Sequence, residues 1–324
     1  MSDLDAADFL ATVPLFADGD QVGRAELARV LRRRTIASDE VVWNQGDDAR
    51  ELLVIVAGAL SAFLEVPGDR VVEIATAGPG DTVGEIALLD GGRHTMSVRA
   101  VQETTVLALG RVELAALLAP QDPTAFRLKR RLAALLTARH RNQLARLSAS
   151  LGGEAPGPPT EDADRAFAEL ERCGPPDSRY VRRMATFHDL DPLALWGFLT
   201  SGSYARCPRG RTLVSEGAPS AACYLTINGA VEQVLARGSR RIRVGLAGPG
   251  KAFGYESLVD GGPSPVTAVT RERVVLLVLP RDRFLQLFHG EDAVSRVFLD
   301  VIHRELVATL RQTLRPHARL AASL

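Results

Sequence analysis

Residues 78–100 read Gly-Pro-Gly-Asp-Thr-Val-Gly-Glu-Ile-Ala-Leu-Leu-Asp-Gly-Gly-Arg-His-Thr-Met-Ser-Val-Arg-Ala. This spacing predicts a tight turn at Gly78-Pro79-Gly80 and a short helix beginning at Gly84 and Glu85. A second turn follows at Gly91-Gly92, then a strand beginning near Thr95. A helix that opens on glycine leaves backbone N–H groups pointing outward, so its start is a seat for an anion. Glu85, in the first turn, is placed to accept hydrogen bonds from a sugar hydroxyl, and a cation a few residues later to close over a phosphate.

The same punctuation returns further along. Phe16 pairs with Phe187, Gly46 with Gly217 and Gly58 with Gly229, all at an offset of 171. Gly78-Pro79-Gly80 pairs with Gly248-Pro249-Gly250, Gly84 with Gly254, and Asp90-Gly91-Gly92 with Asp260-Gly261-Gly262, at an offset of 170. A single-residue gap across so many anchors marks an internal duplication. The 324 residues are enough for two domains of ordinary size, so the chain reads as two copies of one fold.

Each copy opens with a helical stretch, residues 5–33 and 178–203, in which leucine and alanine recur at helical spacing. Short strands are expected at residues 41–43, 52–56, 60–66, 71–75, 95–100 and 105–109. Asn228-Gly229, between two apolar runs, predicts a hairpin turn because both residues tolerate positive φ. Longer amphipathic helices close the copies at about 123–150 and 291–314. Residues 152–163, rich in Gly, Pro, Glu and Thr, read as a linker leading into a short acidic helix near 162–172. The expected domains are therefore 5–150 and 165–320, joined by 151–164.

Thirty-nine basic residues balance 39 acidic ones, so no global field favours nucleic acid or a membrane surface. There is no N-terminal apolar segment for secretion and no run long enough to span a bilayer. Cys173, Cys207 and Cys223 are isolated, lack metal-like spacing and fit a reducing, cytoplasmic home; Cys223, in an apolar run, is expected to be a buried thiol. The six histidines have no cysteine or carboxylate partner at ligand spacing, and no nucleophile, base and orienting acid stand together. Neither a metal, a cofactor nor catalysis is expected. Residues 245–252 approach a phosphate-loop motif through Gly250-Lys251, but Ala252 stands where a magnesium-binding hydroxyl is required.

The layout of residues 84–97 resembles the phosphate-binding cassette of the cyclic-nucleotide-binding domain, the module of protein kinase A regulatory subunits, CRP/FNR regulators and cyclic-nucleotide-gated channels. Gly84 and Glu85 match the family's glycine and glutamate, as does the flanking Ile86-Ala87-Leu88. The family's arginine position, nine residues after the glutamate, holds His94, and Arg93 sits one place early. The resemblance implies an α+β chain: two tandem β-roll, jelly-roll-like domains, each of eight strands with flanking helices. It also implies a ligand, cAMP or cGMP, with the amides of Ile86 and Ala87 on the phosphate and the Glu85 carboxylate on the ribose 2′-OH. Arg93 or His94 assists, and Thr95 or Ser97 faces the purine. Histidine offers one donor where guanidinium presents a permanent fork. Losing such a charge-assisted bond costs about 1.5–3 kcal/mol, one to two decades of affinity. Two readings stay open for this copy, a weakened site or a retained fold with an empty pocket.

The second cassette departs further. Tyr255 follows Gly254 in the glutamate position, Glu256 comes one place later, and Ser264 stands between Pro263 and Pro265 where the arginine is expected. This copy reads as structural or partner-facing.

Between Phe126 and Leu147, seven basic residues (Arg127, Lys129, Arg130, Arg131, Arg139, Arg141, Arg146) lie over a leucine stripe with no acidic residue among them. Such a helix serves as a dimer seam or ligand lid in the family, as a basic face for an acidic partner or nucleic acid, or as a solvated face over a packed stripe. The run Arg32-Arg33-Arg34-Thr35-Ile36 looks like a basophilic kinase site but falls at the junction of entry helix and first strand. No helix-turn-helix domain follows either roll, which argues against a sequence-specific activator. The expected function is regulatory and non-enzymatic: cyclic-nucleotide sensing through the first domain, relayed to a protein partner, with a homodimer through the long helices. A ligand-independent adaptor is the competing reading, and a nucleic-acid binder using the basic helix a third.

Overall fold

In the computed structural model, which describes residues 3–66, 70–120, 122–154 and 170–323, the chain divides into two compact units. One comprises Met1–Leu136 with His317–Leu324, the other Thr137–Pro316.

The first unit begins with α1 (Asp3–Thr12) and α2 (Gln21–Val30). Asp20 caps α2, its carboxylate accepting the Gly23 N–H at 2.7 Å. Eight strands follow: β1 (Arg32–Ile36), β2 (Val41–Trp43), β3 (Glu51–Ala57), β4 (Leu60–Val66), β5 (Arg70–Ala77), β6 (Thr82–Val83), β7 (Ser97–Ala100) and β8 (Thr104–Gly110). The short α3 (Glu85–Leu89) interrupts the series between β6 and β7. The helices α4 (Arg111–Leu118) and α5 (Pro123–Leu151) follow, and α5 passes into the second unit at Thr137. The strands form two antiparallel sheets, ordered β1-β8-β3-β6 and β2-β7-β4-β5. Ile36, Leu53, Ile55, Val98 and Val106 fill the space between them and are all buried. Their burial is the main term that holds the roll closed.

The second unit repeats this plan after β9 (Glu171–Cys173), α6 (Ser178–Arg182), a 3-10 turn at Ala185–Phe187 and α7 (Pro192–Leu199). Its roll comprises β10 (Ser203–Cys207), β11 (Thr212–Val214), β12 (Ala222–Asn228), β13 (Val231–Arg237), β14 (Arg240–Ala247), β15 (Ala252–Phe253), β16 (Thr267–Thr270) and β17 (Val274–Pro280). The helix α8 (Glu256–Asp260) sits between β15 and β16; α9 (Arg281–His289) and α10 (Ala293–Ser323) close the chain. The sheet orders β10-β17-β12-β15 and β11-β16-β13-β14 match the first unit strand for strand, with β9 added beyond β10. The duplication read from glycine spacing is thus a duplication of topology.

Local details differ from expectation where pairing or capping outweighs pattern. The entry stretch 5–33 is two helices, and Arg32 and Arg33 belong to β1, whose ladder to β8 runs from Arg32↔Ala108 to Ile36↔Thr104. Stretch 178–203 is likewise broken: Asp191 caps a new helix, accepting the Ala194 N–H at 2.7 Å, with Pro192 in its first turn. At the β12–β13 turn only Gly229 takes positive φ, 84°, while Asn228 ends the strand. A Cβ at Gly229 would stand 2.6 Å from the Arg273 carbonyl oxygen, so the close approach requires glycine. The C-terminal helix continues past residue 314 to Ser323, with Pro316 inside it. Most of the expected linker and acidic helix, residues 155–169, lies outside the described residues. Glu171 and Arg172, the end of that expected helix, instead belong to the strand Glu171–Cys173, which pairs with β10.

Candidate functional site

In the first unit, β6 pairs with β3 (Leu53↔Val83) and delivers the chain to Gly84, whose φ is 98°. A Cβ there would fall 2.7 Å from the Glu51 carbonyl oxygen and 3.3 Å from the Trp43 ring, so the turn into α3 accepts only glycine. The preceding turn is tied to β3: Gly80 N–H donates to the Ile55 carbonyl, and Ile55 N–H to the Asp81 carbonyl, both at 2.9 Å. Glu85, Ile86, Ala87 and Leu88 are then all buried, Glu85 to 1% exposure.

The two basic candidates diverge. Arg93 is exposed and turns to the 44–50 loop, with Nε 3.5 Å from Asp48 Oδ1 and Nη1 donating to the Gly46 carbonyl at 3.3 Å. His94 is buried, and its ring stacks on Trp43 with centroids 4.1 Å apart and planes within 9°. Gly84, Trp43 and His94 therefore form one contiguous group, and Arg93 stands outside it. Ser97 is buried and already bonded: its Oγ accepts the Gln45 N–H at 2.9 Å and donates to Glu65 Oε1 at 3.3 Å. Thr95 is half-buried. Trp43 was not among the candidates, because nothing in a three-residue strand signals which ring will lie against residue 94.

In the second unit Gly254 also has positive φ, 77°, and Tyr255 enters α8 in helical conformation. Ser264 takes the backbone place of His94. His94 exchanges bonds with Gly46 and Asp47 (2.8 and 2.9 Å), and Ser264 with Gly217 and Ala218 (2.9 and 2.7 Å). The Ser264 hydroxyl turns back to the Val266 carbonyl at 2.9 Å.

The rest of this cassette is occupied by the unit's own side chains. Tyr255, fully buried, has its hydroxyl 3.0 Å from Thr309 Oγ1 on α10. Burial, with Glu256 and Glu305 nearby, pushes its ionisation well above the ordinary tyrosine range. Glu256 Oε1 lies 3.4 Å from Nδ1 of His140 on α5, and His140 Nε2 lies 3.1 Å from Thr313 Oγ1. The Thr313 hydroxyl donates to the Thr309 carbonyl at 2.9 Å, so it accepts from His140 Nε2–H. Glu305 accepts from Lys251 Nζ at 3.2 Å and from the Ala252 N–H at 3.1 Å. Desolvation nonetheless raises its pKa above the ordinary 4.5. Arg141 clasps the cassette's far end, donating to Asp260 Oδ1 at 2.8 Å and to the Pro263 carbonyl at 2.6 Å.

Spacing could not find His140, Arg141, Glu305, Thr309 or Thr313, which come from helices remote in sequence. The basic stretch of α5 is also not wholly solvated: Arg131 pairs with Asp18 in the first unit and Arg141 with Asp260 in the second.

Two rolls of one topology, each interrupted between its sixth and seventh strands by a short helix that follows a glycine of positive φ, define a tandem of one β-roll domain. The profile of the cyclic nucleotide-binding domain matches residues 33–121 and 205–291, more than half of the chain, and the protein belongs to that family. The chain is 34% identical over 88 residues to the cyclic AMP receptor protein of Thermus thermophilus, a match covering 27% of this chain and 41% of that one. It is 33% identical over 114 residues to the cAMP-dependent protein kinase regulatory subunit of Emericella nidulans, covering 35% of this chain and 27% of the relative. Both matches thus span less than half of the relatives' length. Among solved structures, the regulatory domain of Toxoplasma gondii PKA with cAMP aligns over 88% of this chain and 91% of its own, at 16% identity and a TM-score of 0.34. Among the described residues, no helix is long and apolar enough to cross a membrane.

Proposed function

We propose that the protein is a non-enzymatic regulator that senses a cyclic purine nucleotide, cAMP or cGMP, through residues 84–97 and relays that state to a protein partner. Its domains are taken as 5–150 and 165–320. The observation that supports this reading is the asymmetry between the cassettes. The second is filled by Tyr255 on Thr309 and Glu256 on His140. In the first, Gly84 and the buried Glu85 keep the family's pattern. Ile86 and Ala87 amides receive the phosphate and Glu85 the ribose hydroxyl. Arg93 or His94 supplies the cationic contact. With Ser97 committed to Gln45 and Glu65, Thr95 is left for the purine.

A second reading has its own support: the second unit is a ligand-independent platform, because Tyr255, Glu256 and Glu305 of this cassette region already lie against Thr309, His140 and Lys251. In both readings the long helices α5 and α10 meet the partner, a second copy of the chain included.

Titration calorimetry of the full chain with cAMP and cGMP tests the proposal. Saturating heats that vanish in Glu85→Ala and persist in Tyr255→Phe support sensing through the first cassette. Absence of heat with either nucleotide leaves the adaptor reading.

A further inference from the structure

Away from the cassette, the first unit holds an apolar cavity of about 380 Å³ among α2, α4, the first turns of α5 and the loop before Gly19. Leu15, Phe16 and Leu27 form its buried floor, Leu117 and Leu128 are half-buried on its walls, and Val30 stands 47% exposed at its mouth. This size falls within the range of about 300–1,000 Å³ common to small-molecule sites. Apolar walls left in contact with water favour an apolar occupant.

The rim selects the polar end of that occupant. Arg24 donates to the Gly19 carbonyl, and Arg131 forms a two-bond pair with Asp18. Arg127 donates through Nη2 to Thr124 Oγ1 at 3.0 Å, but its Nε–H is buried without an acceptor. Arg24, Arg127 and Arg131 balance Asp18, Glu26 and Glu113 around the cavity, and of the three guanidinium groups Arg127 is the one with a buried N–H left unmet. The Asp18 carboxyl is held below its ordinary range by its hydrogen bond to Arg131, against a smaller opposing effect of burial, and the charges of Arg131, Arg127 and Arg130 add to the lowering. Of the two other carboxylates lining the cavity, Glu113 folds back against Gly110 at the start of α4, and Glu26 is exposed on α2.

We propose that this cavity binds a small amphiphile, an aliphatic chain ending in a single carboxylate, with the chain on the leucine and phenylalanine floor and the carboxylate on Arg127. A cationic head has no acceptor to offer the buried Arg127 N–H, and a wholly apolar ligand would leave it unmet. The cavity shares no residue with the first cassette, so failure at either site leaves the other standing.

The test uses the full chain with dodecanoate and dodecanol as probes, followed by calorimetry. Dodecanoate binds saturably with one site per chain, and dodecanol binds about tenfold more weakly. Arg127→Gln removes that difference by weakening dodecanoate alone. Ala116→Trp, at an exposed wall position, and Val30→Trp, at the mouth, each abolish binding of both probes while the far-ultraviolet dichroism is unchanged. No saturation by dodecanoate, an undiminished preference for it in Arg127→Gln, or binding insensitive to both tryptophan variants would overturn the proposal. So would exclusion of dodecanoate by an acidic amphipathic peptide that binds the same groove more tightly.

Discussion

His140 Nδ1 lies 3.4 Å from Glu256 Oε1, with both side chains buried in the second unit. Through this contact α5 reaches the first turn of the cassette helix α8, and through Nε2 and Thr313 the same imidazole reaches α10. Three helices are joined by polar groups from which water is excluded, where each lost partner leaves an unmet group. His140→Ala is therefore expected to destabilise the second unit by about 1–3 kcal/mol, read as a lowered denaturant midpoint. An unchanged midpoint would mean that the chain of contacts contributes nothing to stability.

Glu305 sets a pH dependence. Burial raises its pKa above 4.5, and the Lys251 ammonium only partly opposes the shift. The folded chain thus holds this proton more tightly than the unfolded chain does. The group's contribution to stability is present in full below the unfolded value and is lost as pH rises through the folded one. The stability of the wild type relative to Glu305→Gln should fall as pH rises from about 4 toward neutrality. A difference that stays flat or grows over that interval contradicts the assignment.

The three cysteines should react in a fixed order. Burial pushes the Cys207 thiol up to about 11, and burial with nearby Glu256 and Glu305 pushes Cys223 higher still. Cys173, on the edge strand β9, is only half-buried. Since the thiolate is the reactive form, alkylation at mildly alkaline pH should label Cys173 first and reach the other two only after unfolding. Peptide mass mapping reads the order, and early labelling of Cys223 would contradict the burial of β12.

His94→Arg probes the candidate site itself. If residue 94 faces the phosphate, a guanidinium there should tighten cAMP binding by about one to two decades over the wild type. Trp43 remains available as a ring face for the new cation. Calorimetry on both proteins measures the gain. Equal affinities would place the anion contact elsewhere on the cassette.

The turns were legible before the strands were. Gly58 and Gly229, Gly80 and Gly250, Gly84 and Gly254 all take positive φ in the structure. A backbone that needs glycine writes its need at one position, so the duplication and both cassettes could be placed from spacing. The limits of elements were less clear. Arg32 and Arg33 continue a helical pattern yet lie in β1, because pairing with β8 outweighs local propensity.

Spacing along the chain determined the twofold repeat and the positions of the cassette turns, while the roll and the histidine in place of arginine at residue 94 were read through the family resemblance. The repeat and the turns follow from local backbone requirements. Tertiary structure decided what each cassette does with its groups: His94 on Trp43, Tyr255 on Thr309 across 54 residues, and His140 on Thr313 across 173. Such contacts join residues with no periodic relation, and their geometry exists only once the helices have packed, so no pattern in the chain announces them.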